Sequence, residues 1–460
     1  MIPIRIFPEE DIQMKTKAAL FFQGPLAAVL FILAALCFIQ PARAQQAMRI
    51  DIYGPGQKQL NLYIAPPQPL GAERTLPREI ETLEATLSRN LDFLPFIHQM
   101  QPGDILGQKA LNGTTAREID FKRFNLSQAD LLLTSSWEKL ADKGLQIELR
   151  AFDVFARKLL VGRGYKIMES YQLVEAINRF CAQLMEELTG RNGFFRSTLA
   201  FVRKNSGHKE IWTCTPQGYR PRQITSFQQY CLSPAWKWDG SSLAFTLVGE
   251  NKHELIVWNV QSQKLRHVLL PGNTIISPAF HPDGRLFISI DRYGNPDIYS
   301  LNADYGIARA EVQNWAIDIS PQFEASGENM VFVSSRLGNP HIFLLDLETR
   351  KIRRISYEGK YNTNPDISPD GRYIAYSRLM PKGHRIIVYD LKTNTERQVT
   401  FGPGNDEDPA WGPDSYFLAF ASNRSGKYRI YLATRQGDAT QLIPTGPGEA
   451  TAPAWNPAVR

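Results

Sequence analysis

A short phrase returns six times in the second half of the chain: SPAW at Ser233, SPAF at Ser277, SPQF at Ser320, NPDI at Asn364, DPAW at Asp408 and APAW at Ala452. The spacings between the residues that precede each proline are 44, 43, 44, 44 and 44. A period held that closely, in units made of short strands, is the signature of a β-propeller with four strands per blade. Each unit parses the same way. The phrase is a first strand whose aromatic residue packs between neighbouring blades. A Pro-Asp-Gly turn follows, with proline presetting φ, aspartate bonding its own backbone and glycine supplying φ > 0. An apolar second strand such as Tyr373-Ile374-Ala375-Tyr376 comes next, then a glycine-containing turn, a third strand and a polar fourth such as RRIS or RQVT. The His and Trp-Asp marks of the WD40 class are missing from the units.

Five units are complete, over about 233–447. Before them, the stretch from Ser197 supplies second, third and fourth strands with no phrase in front; after them, TAPAWNPAVR is a phrase with nothing behind it. The two fragments sum to one blade. The expectation is an all-β six-bladed propeller over 193–460, closed by 452–457 as the innermost strand of the blade begun at Ser197.

A chain of 460 residues exceeds one ordinary core. Residues 45–192 carry no repeat and read as an α/β domain of normal size. Ile80, Leu83, Leu87 and Leu91 share one helical face, with Thr75 and Pro77 suited to its start. ADLLLTSSWE, LQIELRAFDV and KLLVGRGYKI read as strands, and a second amphipathic helix spans about 171–188. Cys181 fits the packing stripe of that helix.

Upstream, residues 18–39 are an apolar run preceded by Lys15 and Lys17 and followed by Ala42-Arg43-Ala44. Basic residues, apolar run and A-x-A site make a secretory signal peptide over 1–44, cut between Ala44 and Gln45. The run is also long enough to span a bilayer as an uncleaved anchor, and Met14 is an alternative start. Export would place Cys214 and Cys231 in an oxidising compartment, where they either close a short loop worth roughly 3 kcal/mol or stay as two buried thiols. The net charge of +6 is small over this length, and the run Arg350-Lys351-Ile352-Arg353-Arg354 lies on an expected strand edge, so nucleic acid is not an expected partner.

Catalytic chemistry is not signalled. There is no G-x-S-x-G elbow, and the seven histidines are scattered without H-E-x-x-H or another zinc pair. The NDED stretch at 405–408 offers oxygens to calcium, although an acidic loop explains it as well. No catalytic residue, metal or cofactor is expected.

Taken together, the leader, the MRIDIYG start, the α/β domain, the GRNGFFRSTLAFV junction at 190–202 and the orphan APAWNP resemble the TolB family, the periplasmic component of the Tol-Pal system. The resemblance covers the whole chain after the leader. It implies a non-enzymatic periplasmic protein that binds the peptidoglycan-associated lipoprotein Pal on one propeller face, linking outer-membrane integrity and cell-division constriction to inner-membrane Tol proteins. It also implies a mobile first segment, 45–56, that packs on the protein or reaches a TolA-type inner-membrane protein; Arg49, Ile50, Asp51 and Ile52 fall in it. Such a short strand-like segment suits edge addition to a partner's sheet, or forms an ordinary first strand. Membrane association would come only through partners. The Pal-binding face is expected from loops joining each fourth strand to the next phrase: Thr274, Ile275, Asp318, Tyr361, Asn362, Asp406, Glu407 and Glu449. Departures from the family pattern are Thr274, where some members have histidine, FEASG in place of Pro-Asp-Gly in one unit, and the pair Cys214/Cys231. The competing readings are a generic exported propeller scaffold with another ligand, or a relative of propeller-gated peptidases lacking its catalytic domain.

Overall fold

The structure is a computed structural model whose described residues are 59–457, apart from 72–76, 108–110, 112, 142–143 and 438–439. The α/β part is one mixed sheet. Its strands run in the order Ile97–Gln99, Leu60–Ile64, Leu131–Lys139, Leu145–Asp153, Lys158–Ile167, with Gln68–Pro69 also on Leu131–Lys139. Leu60–Ile64 is parallel to both its neighbours; the two strands after Leu131–Lys139 form antiparallel pairs. The helix Arg78–Asp92 enters from extended Pro77 and buries Ile80, Leu83, Leu87 and Leu91, the stripe expected from the spacing. The helix Ser170–Thr189 ends at Gly190, whose φ of 77° lets its amide reach the Glu186 carbonyl. Both helices cover the sheet face that carries Leu131 and Leu133, and Cys181 packs there. The other face carries Leu132 and is covered by the helix Phe121–Leu126 with Tyr63 and Phe152. A strand buried on both faces explains the unbroken apolar run ADLLL.

The repeat part begins at Leu199–Asn205. Four four-stranded antiparallel sheets follow one another, their first strands being Ile275–Phe280, Asp318–Phe323, Asn362–Ile367 and Asp406–Trp411. An eight-stranded sheet comprises two further meanders. One is Tyr230–Trp236, Ser242–Val248, His253–Asn259 and Leu265–Val268; the other sets Glu449–Trp455 beside Leu199–Asn205, His208–Cys214 and Arg222–Gln223. They meet at Tyr230↔Lys209. The C-terminal strand pairs in register with the first strand of the repeat part, Glu449↔Lys204 through Trp455↔Leu199.

Every first strand is broken by a bulge at its pre-proline residue. Ser233, Ser277, Ser320, Asn364, Asp408 and Ala452 all have φ between 47° and 59°, and the register shifts there in each pairing. The indole of Trp411 donates to the Asp366 carbonyl at 3.2 Å, and that of Trp455 to the Ala410 carbonyl at 3.1 Å. The expected packing of the phrase aromatic between neighbouring meanders is therefore seen at both positions. In the unit reading FEASG, Gly327 keeps a φ of 72° and its amide bonds the Glu324 carbonyl, so the turn survives without proline or aspartate.

The α/β part packs on the ends of the repeats where first strands turn into second strands. Phe194 lies 4.4 Å from Phe417 and 5.8 Å from Trp455 between ring centroids, Arg191 pairs with Asp370 at 2.8 Å, and Gln217 donates to Asn90 at 3.1 Å.

Of the two readings of Cys214 and Cys231, a short disulfide loop or two buried thiols, the second is found. Both cysteines are free buried thiols. Cys231 sits beside Glu210, with Sγ 3.7 Å from its carboxylate. Cys214 lies four residues further along His208–Cys214, about 13 Å away by strand rise, well beyond the roughly 7 Å between Cα atoms that a disulfide bridges. Burial pushes all three thiols up to about 12, so at neutral pH none is the nucleophilic thiolate.

Candidate partner-binding face

Strand alternation gathers two kinds of segment at the end of the repeats away from the α/β contacts: the starts of the first strands, and the turns joining second to third strands. Backbone bonds tie them together, from Asp291 N to Thr274 O (3.1 Å), Ser335 N to Ile317 O (3.0 Å) and Leu379 N to Tyr361 O (2.9 Å).

Of the eight residues expected on the partner-binding face, four offer no surface. Ile275, Asp318, Asn362 and Asp406 are fully buried. Each opens a first strand; Ile275 packs in the apolar core, and the three polar side chains turn inward to bond arginines of the neighbouring segments. Asp318 accepts from Arg336 at 3.0 Å while Arg336 Nε donates to Ser334 at 2.8 Å. One repeat pair later the same arrangement returns: Asp406 accepts from Arg424 at 2.9 Å and Ser422 takes Arg424 Nε at 3.0 Å. Asn362 accepts from Arg378 Nε at 3.0 Å, and Arg378 also forms an ion pair with Glu396 at 2.7 Å. Thr274, Tyr361, Glu407 and Glu449 keep some surface; Glu407 accepts from the Tyr428 hydroxyl and Glu449 lies 3.7 Å from Lys204. Ala44, Gln45, Arg49, Ile50, Asp51 and Ile52 lie outside the described residues.

This end does present large apolar side chains among charged ones such as Arg292, Glu358 and Lys360. Trp315 is 76% exposed, Tyr357 69% and Phe401 58%, each in a linker between a fourth strand and the next first strand, with Tyr293 and Leu337 exposed in the adjacent turns. Sequence reasoning named the strand-adjacent residues and missed these. A signal was present, since Tyr357 and Phe401 stand one repeat apart as aromatics in otherwise polar, glycine-containing linkers. Three aromatics that give most of their surface to solvent thus stand in successive linkers of the repeats.

Along the axis of the repeats, the six pre-proline residues Ser233, Ser277, Ser320, Asn364, Asp408 and Ala452 line one cavity of about 120 Å³. A second, of about 130 Å³, lies among the phrase aromatics, including Trp236, Phe280, Trp411 and Trp455. Asp366 lines the latter and accepts from the Trp411 amide at 2.7 Å; Asp408 lines the former and accepts from Asn364 at 2.8 Å. The surrounding strands desolvate both carboxylates, pushing Asp366 from 3.8 up to about 7 and Asp408 up to about 6. The folded state thus holds the Asp366 proton over a range in which the unfolded chain has released it, so this group's contribution to stability falls as pH rises from about 4 to about 7. Asp366→Asn should gain melting temperature relative to the parent protein as pH is raised from 4 to 8. Parallel curves for the two proteins would refute the assignment. Among the described residues, no group of three or more His, Cys, Asp or Glu is disposed to hold a metal.

Residues 185–459 match the model of the TolB beta propeller domain, and residues 48–160 that of the TolB amino-terminal domain. The chain belongs to the TolB family. A Tol-Pal system protein TolB from Nitratidesulfovibrio vulgaris is 41% identical over 304 residues, covering 65% of this chain and 68% of that protein. Another, from Desulfosudis oleivorans, is 32% identical over 50% of this chain and 52% of its own, and a TolB homolog from Chlorobium luteolum is 29% identical over 68% and 70%. The crystal structure of TolB from Acinetobacter baumannii superposes with a TM-score of 0.73 at 18% identity, over 88% of this chain and 98% of that one, which establishes a shared TolB fold. Among the described residues no helix is long and apolar enough to cross a membrane.

Proposed function

We propose that this TolB-family chain is a periplasmic, non-catalytic component of a Tol-Pal system, and that its linker face docks the peptidoglycan-associated lipoprotein Pal. In this reading the six meanders are six blades of a ring closed by the C-terminal strand. The segment 45–56, including Arg49, Ile50, Asp51 and Ile52, connects occupancy of the face to a TolA-type inner-membrane protein, and so links outer-membrane integrity and constriction to the inner membrane. The observation that carries the reading is the apolar surface at Trp315, Tyr357 and Phe401, on the end of the repeats away from the α/β contacts. The buried Asp318–Arg336 and Asp406–Arg424 pairs support it by holding the turns beside those aromatics in place. The pairing of Glu449–Trp455 with Leu199–Asn205 and the common cavity of the six pre-proline residues support the six-bladed closure.

The test is calorimetric binding to the soluble domain of Pal from the same organism. The expected result is tight binding that Trp315→Ala, Tyr357→Ala and Phe401→Ala together weaken by at least about a hundredfold, a loss of roughly 1 kcal/mol from each of the three aromatics. Deleting 45–56 should change the affinity. No binding by the intact chain would remove the Tol-Pal role and leave a propeller with another ligand.

A further inference from the structure

Arg203 lies near the end of Leu199–Asn205, on the linker side of its sheet, and is only 7% exposed. A guanidinium buried to that degree is ordinarily matched by a carboxylate. Its cross-strand partner is Glu210, yet the two side chains turn apart. The Glu210 carboxylate accepts from the Thr225 hydroxyl and from the Gln228 amide at 2.7 Å. Arg203 lays its guanidinium over the Trp212 ring at 4.2 Å and donates Nε to the Pro447 carbonyl at 2.6 Å. Its two terminal nitrogens have no acceptor among the described residues.

The linker 444–448 folds over this group so closely that a Cβ added at Gly446 would lie 3.2 Å from the guanidinium. Arg429 adds a second positive charge to the same neighbourhood. Its hydrogen bonding among the described residues is confined to the Tyr428 carbonyl at 3.5 Å. Burial, and then the charge of Arg429, hold Arg203 below the usual guanidinium range, as befits a cation lacking its counter-charge. Between Arg203 and Glu210 opens a cavity of about 200 Å³, lined also by Asn205, His208, Trp212 and Gln223.

We propose that this cavity is a carboxylate-binding site, in which the free edge of the Arg203 guanidinium takes an acidic side chain or the terminal carboxylate of a peptide lying on the linker face. The planar fork of terminal N–H groups matches a carboxylate in two-point geometry. Asn205 lines the same cavity with a polar side chain, Gln223 is engaged with the Thr225 carbonyl at 2.7 Å, and Trp212 supplies an apolar wall for the adjoining carbons. Glu210 lines the same cavity and repels any anion, a dianion such as a phosphate monoester about twice as strongly as a carboxylate. The assignment stands apart from the identity of the protein that docks on this face.

The test uses the full chain labelled with 5-fluorotryptophan, reading the ¹⁹F resonance of Trp212, identified by its loss in Trp212→Phe. The probes are N-acetyl-glutamate α-amide, with its charge on the side chain, N-acetyl-glutamine, with its charge at the chain end, and the neutral N-acetyl-glutamine amide. A saturable shift with one or both charged probes in the millimolar range, and none with the neutral probe, is expected; which charged probe binds more tightly identifies the source of the carboxylate. Arg203→Gln should weaken the binding by at least about tenfold, the loss of one charge-assisted hydrogen bond of about 1.5 kcal/mol, with Arg203→Lys intermediate. If Arg203→Gln does not fold, Arg429→Gln reads the same field and should weaken binding severalfold. Identical responses to charged and neutral probes, no saturable shift at tens of millimolar, or undiminished binding by both Arg203→Gln and Arg429→Gln would each overturn the site.

Discussion

Removing the chain after Gly448 is expected to lower the melting temperature by more than about 10 °C. The lost strand supplies the whole inner edge for Leu199–Asn205, and Trp455 is buried against Phe194 with its indole bonded to the Ala410 carbonyl. Trp455→Ala alone should cost about 3–5 kcal/mol by cavity creation. For a domain of this size each kcal/mol moves the midpoint by roughly 2–4 °C, and truncation adds the unpaired backbone of Leu199–Asn205. Phe194 also packs against Phe417 with its ring tilted by 40°, so the loss should reach the contact with the α/β part. Scanning calorimetry of the truncated and intact chains decides the matter. An unchanged midpoint would sink the closure of the ring by its last strand.

Asp406→Ala is the second large effect. Its carboxylate has no exposed surface and accepts from Arg424, with Arg385 3.9 Å away and its own side chain only 6% exposed. Deleting the acid leaves the Arg424 guanidinium without its carboxylate, a change worth about 3–5 kcal/mol, while Arg385 stays bonded to the carbonyls of Lys382, His384, Gly402 and Gly404 and loses only a nearby counter-charge. Asp406→Asn keeps the acceptor oxygen and should cost less, and Asp318→Ala should behave like Asp406→Ala because Arg336 stands to it as Arg424 stands to Asp406. Denaturant unfolding measures the difference. If Asp406 were instead a surface contact for a partner, Asp406→Ala would leave the unfolding midpoint in place.

These outcomes bear on how a repeat protein is read from its sequence. The period and the turn residues are local: a bulge at each pre-proline residue and a glycine at positive φ need only near neighbours, so they recur wherever the phrase does. Even FEASG keeps its turn, because Gly327 supplies the one conformation that the turn requires. The helices Arg78–Asp92 and Ser170–Thr189 were legible because their apolar stripes run for several turns. The helix Phe121–Leu126 was not, since six residues are too few to establish a period.

Burial and distance escaped the sequence for a different reason. Acidic residues in a linker look solvent-facing, yet Asp318 and Asp406 turn inward because Arg336 and Arg424, near in space though eighteen residues on, neutralise them there. Cys214 and Cys231 looked close enough to join, but parallel strands carry them apart along their length. The sequence by itself determined the repeating unit, its turns and the two-part organisation, because each follows from interactions among residues near in the chain. The tertiary structure alone decided which side chains face the solvent at the linker end, and that Arg203 is buried there without a carboxylate. Those are properties of how neighbouring sheets pack, and side chains from different repeats settle them together.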